Sequence, residues 1–426
     1  MTDTPSVRPM RILICMVTRM TNRGVDALVA SKAAELRRTF PGCEVDVLTR
    51  DVTVNRPFLD LRGIGCVQDE FFGWRFNLLR KAGPLRGLVR RTAGKRIAAL
   101  EARLAGYDLA VVTGGDNMSS DYGSPSQWFT PLRRLADAGV PLVMLGQSIG
   151  PFRQAEHRES FVEMAKRCAL VSVRETASLR YVLDDLKLPE SLVKHTADTA
   201  FLLEPAPHDL ARKMIASFGV DLQQPIIALS VSNGIAGFAS AAGERHLAAL
   251  ERMTRRLLAE TDASILVIPH VEDEDPTNND LIIADALMRR MDFHPRLRLA
   301  RGFLTSNDFK AIVGCSQMVV AERMHVAIGG LSSGVPTFVI GYSVKGHGIM
   351  SDVFGVDSLQ EGLVRPLQDF LDDPATDDLI LDMWRGRERL AERLQARLPE
   401  IRARAKENFS ALEVHGVAAG GRLRRA

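Results

Sequence analysis

Short, continuous apolar runs recur along the first half of the chain, each ending at glycine or a polar turn. They are Arg11–Val17, Glu44–Thr49, Asp108–Thr113, Pro141–Gly146 and Ala169–Val173. Helical spacing fills the intervals: Asn22–Phe40 sets Ala27, Leu28, Ala34 and Leu36 on one side, and a further helix runs through Leu179–Leu183. Runs apolar throughout, rather than alternating, belong to parallel strands covered on both faces. Pro205 and Pro207 interrupt the pattern within Glu204–Asp209. It then restarts with strands at Ile226–Val231, Ser264–Ile268, Met318–Ala321 and Thr337–Ile340, and helices at Arg245–Thr261, Leu281–Arg290 and Val326–Ser333. From Thr376 to about Glu413 almost every residue favours helix. The pattern predicts an α/β protein of two Rossmann-like doubly wound domains facing a cleft, with a C-terminal helical segment. The expected bounds are 1–204, 205–375 and 376–426.

Length supports more than one core, since 426 residues exceed what a single one usually organises. The apolar fraction of 46% and charged fraction of 25% are those of a soluble globular protein, and a net charge of +3 gives no reason to expect a nucleic-acid partner. Five scattered cysteines without C-x-x-C spacing, with Cys15, Cys168 and Cys315 in apolar surroundings, read as reduced core thiols of a cytoplasmic protein. The Ile12–Val17 run is too short for a signal-peptide core, and no stretch approaches a membrane span. No metal-ligand cluster is evident.

Chemistry gathers where strands end, which is where open α/β sheets hold ligands. The apolar strand Met318–Ala321 runs into Glu322-Arg323-Met324-His325. Arginine there suits a carboxylate or phosphate, and the histidine beside it can move a proton near neutral pH. Thr18–Gly24 leads into a helix with Asn22 and a glycine, as an anion loop or as a polar capped turn. Gly114-Gly115-Asp116-Asn117 follows another strand, with Asp121 and Tyr122 beyond; Asp116 reads as a base or a sugar-hydroxyl ligand, and Asp-Asn also suits a tight turn. Gly146-Gln147-Ser148-Ile149-Gly150-Pro151 combines glycines with small hydrogen-bonding groups. Arg174 ends a strand as a second hand for a small dianion; Glu175 is expected to form an exposed pair with it, worth little, and Asp198 to orient it or line the cleft. His270 is open between site and surface, the acids Glu272–Asp275 read as a solvated turn, and Lys345 adds a cation after the last strand.

These segments, in this order, resemble the polysaccharide pyruvyl transferase family from Asn22-Arg23-Gly24 to Lys345. The shared elements include Gly114-Gly115-Asp116-Asn117, Gln147-Ser148, Ser172-Val173-Arg174-Glu175, Asp198-Thr199-Ala200-Phe201, Arg323-Met324-His325 and Tyr342-Ser343-Val344-Lys345. The family often has a third glycine where this chain has Asp116. The resemblance implies a glycosyltransferase-B-like fold and transfer of the carboxyvinyl unit of phosphoenolpyruvate to two sugar hydroxyls, giving a pyruvate ketal and phosphate. It makes phosphoenolpyruvate a co-substrate with no further cofactor, Arg174 and Arg323 its grip, Lys345 an added cation and His325 the acid. Asp116 would activate an acceptor hydroxyl, and Gly114, Gly115, Asn117, Gln147, Ser148 and Asn22 would line the substrate site. The acceptor would be a cell-surface glycan or its lipid-linked precursor. Aromatics and cations between 71 and 96 would then rest on the inner face of a membrane or form a solvated helix face with a partly buried aromatic cluster. A nucleotide-sugar glycosyltransferase of the same fold and a non-catalytic glycan-binding protein are the rival expectations.

Overall fold

The computed structural model describes residues 8–73, 86–120, 128–237, 242–341 and 344–414. The chain separates into two compact units: 1–20, 28–199 and 404–426 form the first, and 21–27 with 200–403 the second.

The first unit is built on one parallel sheet. Its strands are β1 (Arg11–Val17), β2 (Glu44–Thr49), β3 (Gly65–Gln68), β4 (Leu109–Val112), β5 (Gly115–Met118), β6 (Leu142–Ile149), β7 (Leu170–Val173) and β8 (Val193–His195). They run in the order β3-β2-β1-β4-β6-β7-β8, and β5 pairs with the far end of β6 through Gly115 opposite Gln147 and Met118 opposite Ile149. Strands β4, β6 and β7 are buried at every position, as continuous apolar runs require. Leu13, Val112, Met144, Phe129 and Phe161 belong to the core packed on this sheet.

The second unit repeats the plan with β9 (Ile226–Ser230), β10 (Ser264–Val267), β11 (Leu297–Leu299), β12 (Met318–Ala321), β13 (Thr337–Gly341) and β14 (Val364–Pro366), ordered β11-β10-β9-β12-β13-β14, all parallel. The helices that matter below are α1 (Arg23–Thr39), α2 (Ala242–Glu260), α3 (Asp280–Arg290), α4 (Ser306–Gly314), α5 (Met324–Ser332) and α6 (Arg387–Val414). Among the described residues no helix is long and apolar enough to cross a membrane.

Several expectations need correction. Gly115–Met118 is a strand rather than a tight turn, because its backbone adds to the edge left where β6 runs past β4. The Leu179–Leu183 helix is two pieces, an α-turn at Thr176–Arg180 and a π-turn at Tyr181–Asp185. Cys15 and Cys168 are buried, whereas Cys315 is half-buried. Of the aromatic and basic segment, 74–85 lies outside the described residues, and Phe71 is partly buried against the first unit's core, in keeping with the partly buried aromatic cluster among the two readings.

Candidate functional site

In the second unit, β12 leaves the sheet at Ala321 and Arg323 takes the N-cap position of α5 with extended backbone. Its guanidinium grips Asp280 with two atoms: Nε donates to Oδ2 at 3.1 Å and Nη2 to Oδ1 at 2.5 Å. Nη2 also donates to Asn278 Oδ1 at 3.2 Å. Asp280 is fully buried in the first turn of α3, where Asn279 caps the helix by accepting from Leu281 N. Its carboxylate further accepts the backbone amides of Asn233 (3.0 Å), His270 (3.2 Å) and Val271 (2.9 Å). One carboxylate therefore ties together the ends of β9, β10 and β12. Burial raises its pKa, opposed by Arg323 and the amides. A two-point grip on a buried carboxylate fixes the guanidinium plane as a single contact would not.

His325 follows in the first turn of α5, half-buried. Gly24 lies against its ring: a Cβ there would stand 2.8 Å from His325 Cγ and closer still to Nδ1. Asn22 caps α1, its Oδ1 accepting from Gly24 N at 3.0 Å and its carbonyl from Val25 N and Asp26 N. That arrangement is the capped turn of the two readings of this loop, and it delivers the glycine to the histidine. Arg23, almost wholly buried, donates from its backbone N to His270 O and from Nη2 to Glu272 Oε1 at 3.0 Å. Glu272 is thus an ion-pair partner and not merely part of a solvated turn. His270 is buried rather than on the surface, its ring meeting Phe309 edge-on at 5.6 Å. Burial, then His325, Arg23 and Arg323, press its pKa well below the ordinary histidine value, so it is neutral.

In the first unit the expected residues converge on Arg174. Its side chain is 2% exposed; Nη1 meets Asp198 Oδ2 at 2.5 Å, Nε donates to Ser148 Oγ at 2.8 Å and Glu175 Oε2 lies 3.5 Å away. The expected exposed Arg174–Glu175 pair is therefore a buried one. Ser148 Oγ donates to Glu175 Oε2 at 2.9 Å, and Ser178 Oγ donates to the same carboxylate. Burial opposes the Arg174 charge, but Asp198, Glu175 and Asp116 outweigh it and raise the pKa. Arg174 is thus set in a buried carboxylate network. Asp198, as one of its two readings had it, orients Arg174. Gln147 is likewise fully buried, its amide donating to the carbonyls of Val112 (3.2 Å) and Thr113 (3.0 Å), which locks β6 to the end of β4. Asp116 and Asn117 are half-buried on β5. Gly115 has φ 99°, which a side chain would strain, and a Cβ on Gly114 would lie 2.8 Å from Gly146 O.

Sequence reasoning missed three groups. Asp280 sits inside an amphipathic helix, 43 residues from Arg323. Lys32 occupies α1 with no exposure, donating from Nζ to Thr199 Oγ1 at 2.7 Å and lying 3.2 Å from where a Gly114 Cβ would stand. Glu322 is buried against His246, Oε1 to Nε2 at 2.6 Å, and accepts Ser232 N at 2.6 Å. The Lys345 side chain and Asp121, Tyr122, Tyr342 and Ser343 lie outside the described residues. No group of three or more His, Cys, Asp or Glu among the described residues is arranged to hold a metal ion.

Two parallel-sheet units with polar groups collected at strand ends, and C-terminal helices after them, define an α/β protein of glycosyltransferase-B-like fold. Solved structures of this kind include a UDP-N-acetylglucosamine 2-epimerase from Neisseria meningitidis bound to UDP-GlcNAc, at TM-score 0.59 and 12% identity over 95% of this chain and 100% of that one. A putative UDP-N-acetylglucosamine 2-epimerase from Listeria monocytogenes matches at 0.59 and 12% over 97% and 98%, and a glycosyltransferase from Rickettsia africae at 0.55 and 11% over 96% and 99%. Such identities speak for the fold alone. The family is narrower: residues 22–344 match the polysaccharide pyruvyl transferases, and the chain belongs to that family of transferases.

Proposed function

We propose that this protein transfers the carboxyvinyl unit of phosphoenolpyruvate to a sugar of a cell-surface glycan or its lipid-linked precursor, closing a pyruvate ketal and releasing phosphate. The observation that carries the reading is the Asp280–Arg323 grip one residue from the start of α5, with His325 in the same turn. A guanidinium held at a helix N-terminus favours a phosphate or carboxylate, and leaving phosphate gains charge that such a group stabilises. His325 protonates the enol methylene; its N–H becomes a C–H of the new methyl, and C2 becomes electrophilic. One acceptor hydroxyl adds at C2 and its proton restores the imidazolium. Phosphate departs with the proton of the second hydroxyl, whose oxygen completes the ketal. Asp116, half-buried on β5 with Asn117 beside it, is the proposed base that takes the first hydroxyl's proton, which returns to His325 by way of solvent. Arg174, Gln147 and Ser148 act here by holding the ends of β4, β6 and β7 in register.

Calorimetric titration of phosphoenolpyruvate and of a panel of UDP-sugars tests this. Phosphoenolpyruvate should bind, and Arg323→Ala should weaken it at least about tenfold, the loss of one charge-assisted contact. Tight UDP-sugar binding with no response to phosphoenolpyruvate would replace the proposal with a nucleotide-sugar glycosyltransferase. His325→Ala should keep binding and lose turnover.

A further inference from the structure

A small cavity inside the second unit, with room for about 20 Å³, is lined by His270, His325, Ser306 and Lys310 on a wall of apolar side chains that includes Phe309 and Val326. That volume suits one water molecule. His270 is 5% exposed and Ser306 3%. Neither ring nitrogen of His270, nor Ser306 Oγ, meets a protein hydrogen-bond partner among the described residues. A buried polar atom left without a partner is costly, so such atoms facing a cavity call for a hydrogen-bonding group inside it. The backbone leaves the ring no freedom to seek a partner elsewhere: His270 N is held by Asp280 and His270 O by Arg23 N. The ring edge rests on Phe309.

We propose that His270 is a positioning residue for His325: with Ser306 it holds one water in this cavity, and that water accepts a hydrogen bond from protonated His325. The relay rests on the phosphoenolpyruvate reading for its purpose, since it favours the imidazolium that protonates the methylene. The charges around it make a neutral relay the workable one. Arg23 from α1, Arg323 from the start of α5 and Lys310 from α4 all oppose a second cation, and burial and these arginines keep His270 uncharged. A neutral imidazole accepts at one nitrogen and donates at the other. It can therefore orient a water whose lone pair faces His325, while Ser306 Oγ takes or gives the remaining bond.

Histidine-selective ¹³C labelling reads the His325 titration directly, without substrate. His270→Phe, which leaves no orphaned nitrogen and fills the cavity, should fold and lower the His325 midpoint by about half a pH unit or more, the worth of one hydrogen bond. His270→Gln should restore part of the shift, and Ser306→Ala should move the midpoint in the same direction. In turnover, His270→Phe should lower kcat at neutral pH with little change in KM and move the alkaline limb of the pH profile, set by loss of the His325 proton, to lower pH. An unchanged His325 midpoint in folded His270→Phe, or in Ser306→Ala should the first variant not fold, overturns the relay. A shifted midpoint in a protein that never turns over phosphoenolpyruvate sinks the proposed reaction and leaves the relay standing.

Discussion

Position 24 accepts nothing larger than glycine without moving His325, because the missing Cβ is the space the imidazole fills. Gly24→Ala should leave the melting temperature within a few degrees, since one ring can shift, while turnover falls at least about tenfold, as misplacement of a reacting group does. Matched thermal melts and rates check it; full activity would show that the ring's present position is not the working one. Lys32 is the other residue whose surroundings dictate its behaviour. Burial pushes its pKa down to about 7, against the pull of Asp198 and with the push of Arg174. In the unfolded chain it titrates near 10.4, so between those values the unfolded state binds the extra proton and stability rises with pH. Urea melts should show this rise from pH 7 towards 10, with a contribution approaching about 1.4 kcal/mol per pH unit. Lys32→Met should be more stable than the parent at pH 7 and flatten the slope; an identical slope in both proteins would mean the amine stays charged. Arg323 and His325 were legible in the sequence because arginine and histidine at the end of an apolar strand are out of place. Lys32 and Asp280 were not, since each lies in a helix whose polar positions look like surface until the partner 167 or 43 residues away is known.

At the scale of elements, Glu322 does for β12 what Asp280 does for α5. Its carboxylate joins the end of β12 to Ser232 N after β9 and to His246 on α2, all within the interior. Burial works against an imidazolium at His246, but the charge and hydrogen bond of Glu322 outweigh it and raise the pKa. The stabilisation is therefore fully present below about pH 6.5, the unfolded value, and is lost as pH rises through the folded one. His246→Gln should remove that alkaline decline and leave the opposite slope from Lys32 exposed; a decline that survives the substitution rules the pair out as its source. The same contrast explains which strands could be read. Strands β4, β6, β9 and β12 announce themselves as apolar runs, because both faces are covered. Strands β8 (Val-Lys-His), β11 (Leu-Arg-Leu) and β14 (Val-Arg-Pro) are three residues long and carry a cation each, since they flank the sheets where one side meets water. The Val52–Asp60 helix was hidden by Pro57, which sits inside it.

For the whole molecule, the family match stops at residue 344, yet the chain beyond it is structurally engaged. Helix α6 contributes 387–403 to the second unit and 404–414 to the first. There Asn408 is fully buried, its Oδ1 accepting from Thr196 Oγ1 at 3.0 Å and from Ser172, its Nδ2 donating to Ala197 O at 2.9 Å. Arg404 donates to Thr196 O at 2.8 Å. Ser172 Oγ in turn accepts Gly146 N at 2.8 Å, and Asp198, two residues beyond Thr196, holds Arg174. A helix that homology leaves out thus secures the loop and strand ends of the Arg174 network. Asn408→Leu strands buried partners on several strand ends, so it should cost about 2–4 kcal/mol, the loss of two or more satisfied buried groups. A chain stopped after residue 403 removes Arg404 as well. Hydrogen exchange on it should show protection lost at β6, β7 and β8 and retained at β9, β10 and β12, whose bonds lie within the second unit. Undiminished protection of β7 and β8 would mean that the first unit closes without the returning helix, and that its burial of Asn408 follows from packing rather than sustaining the site.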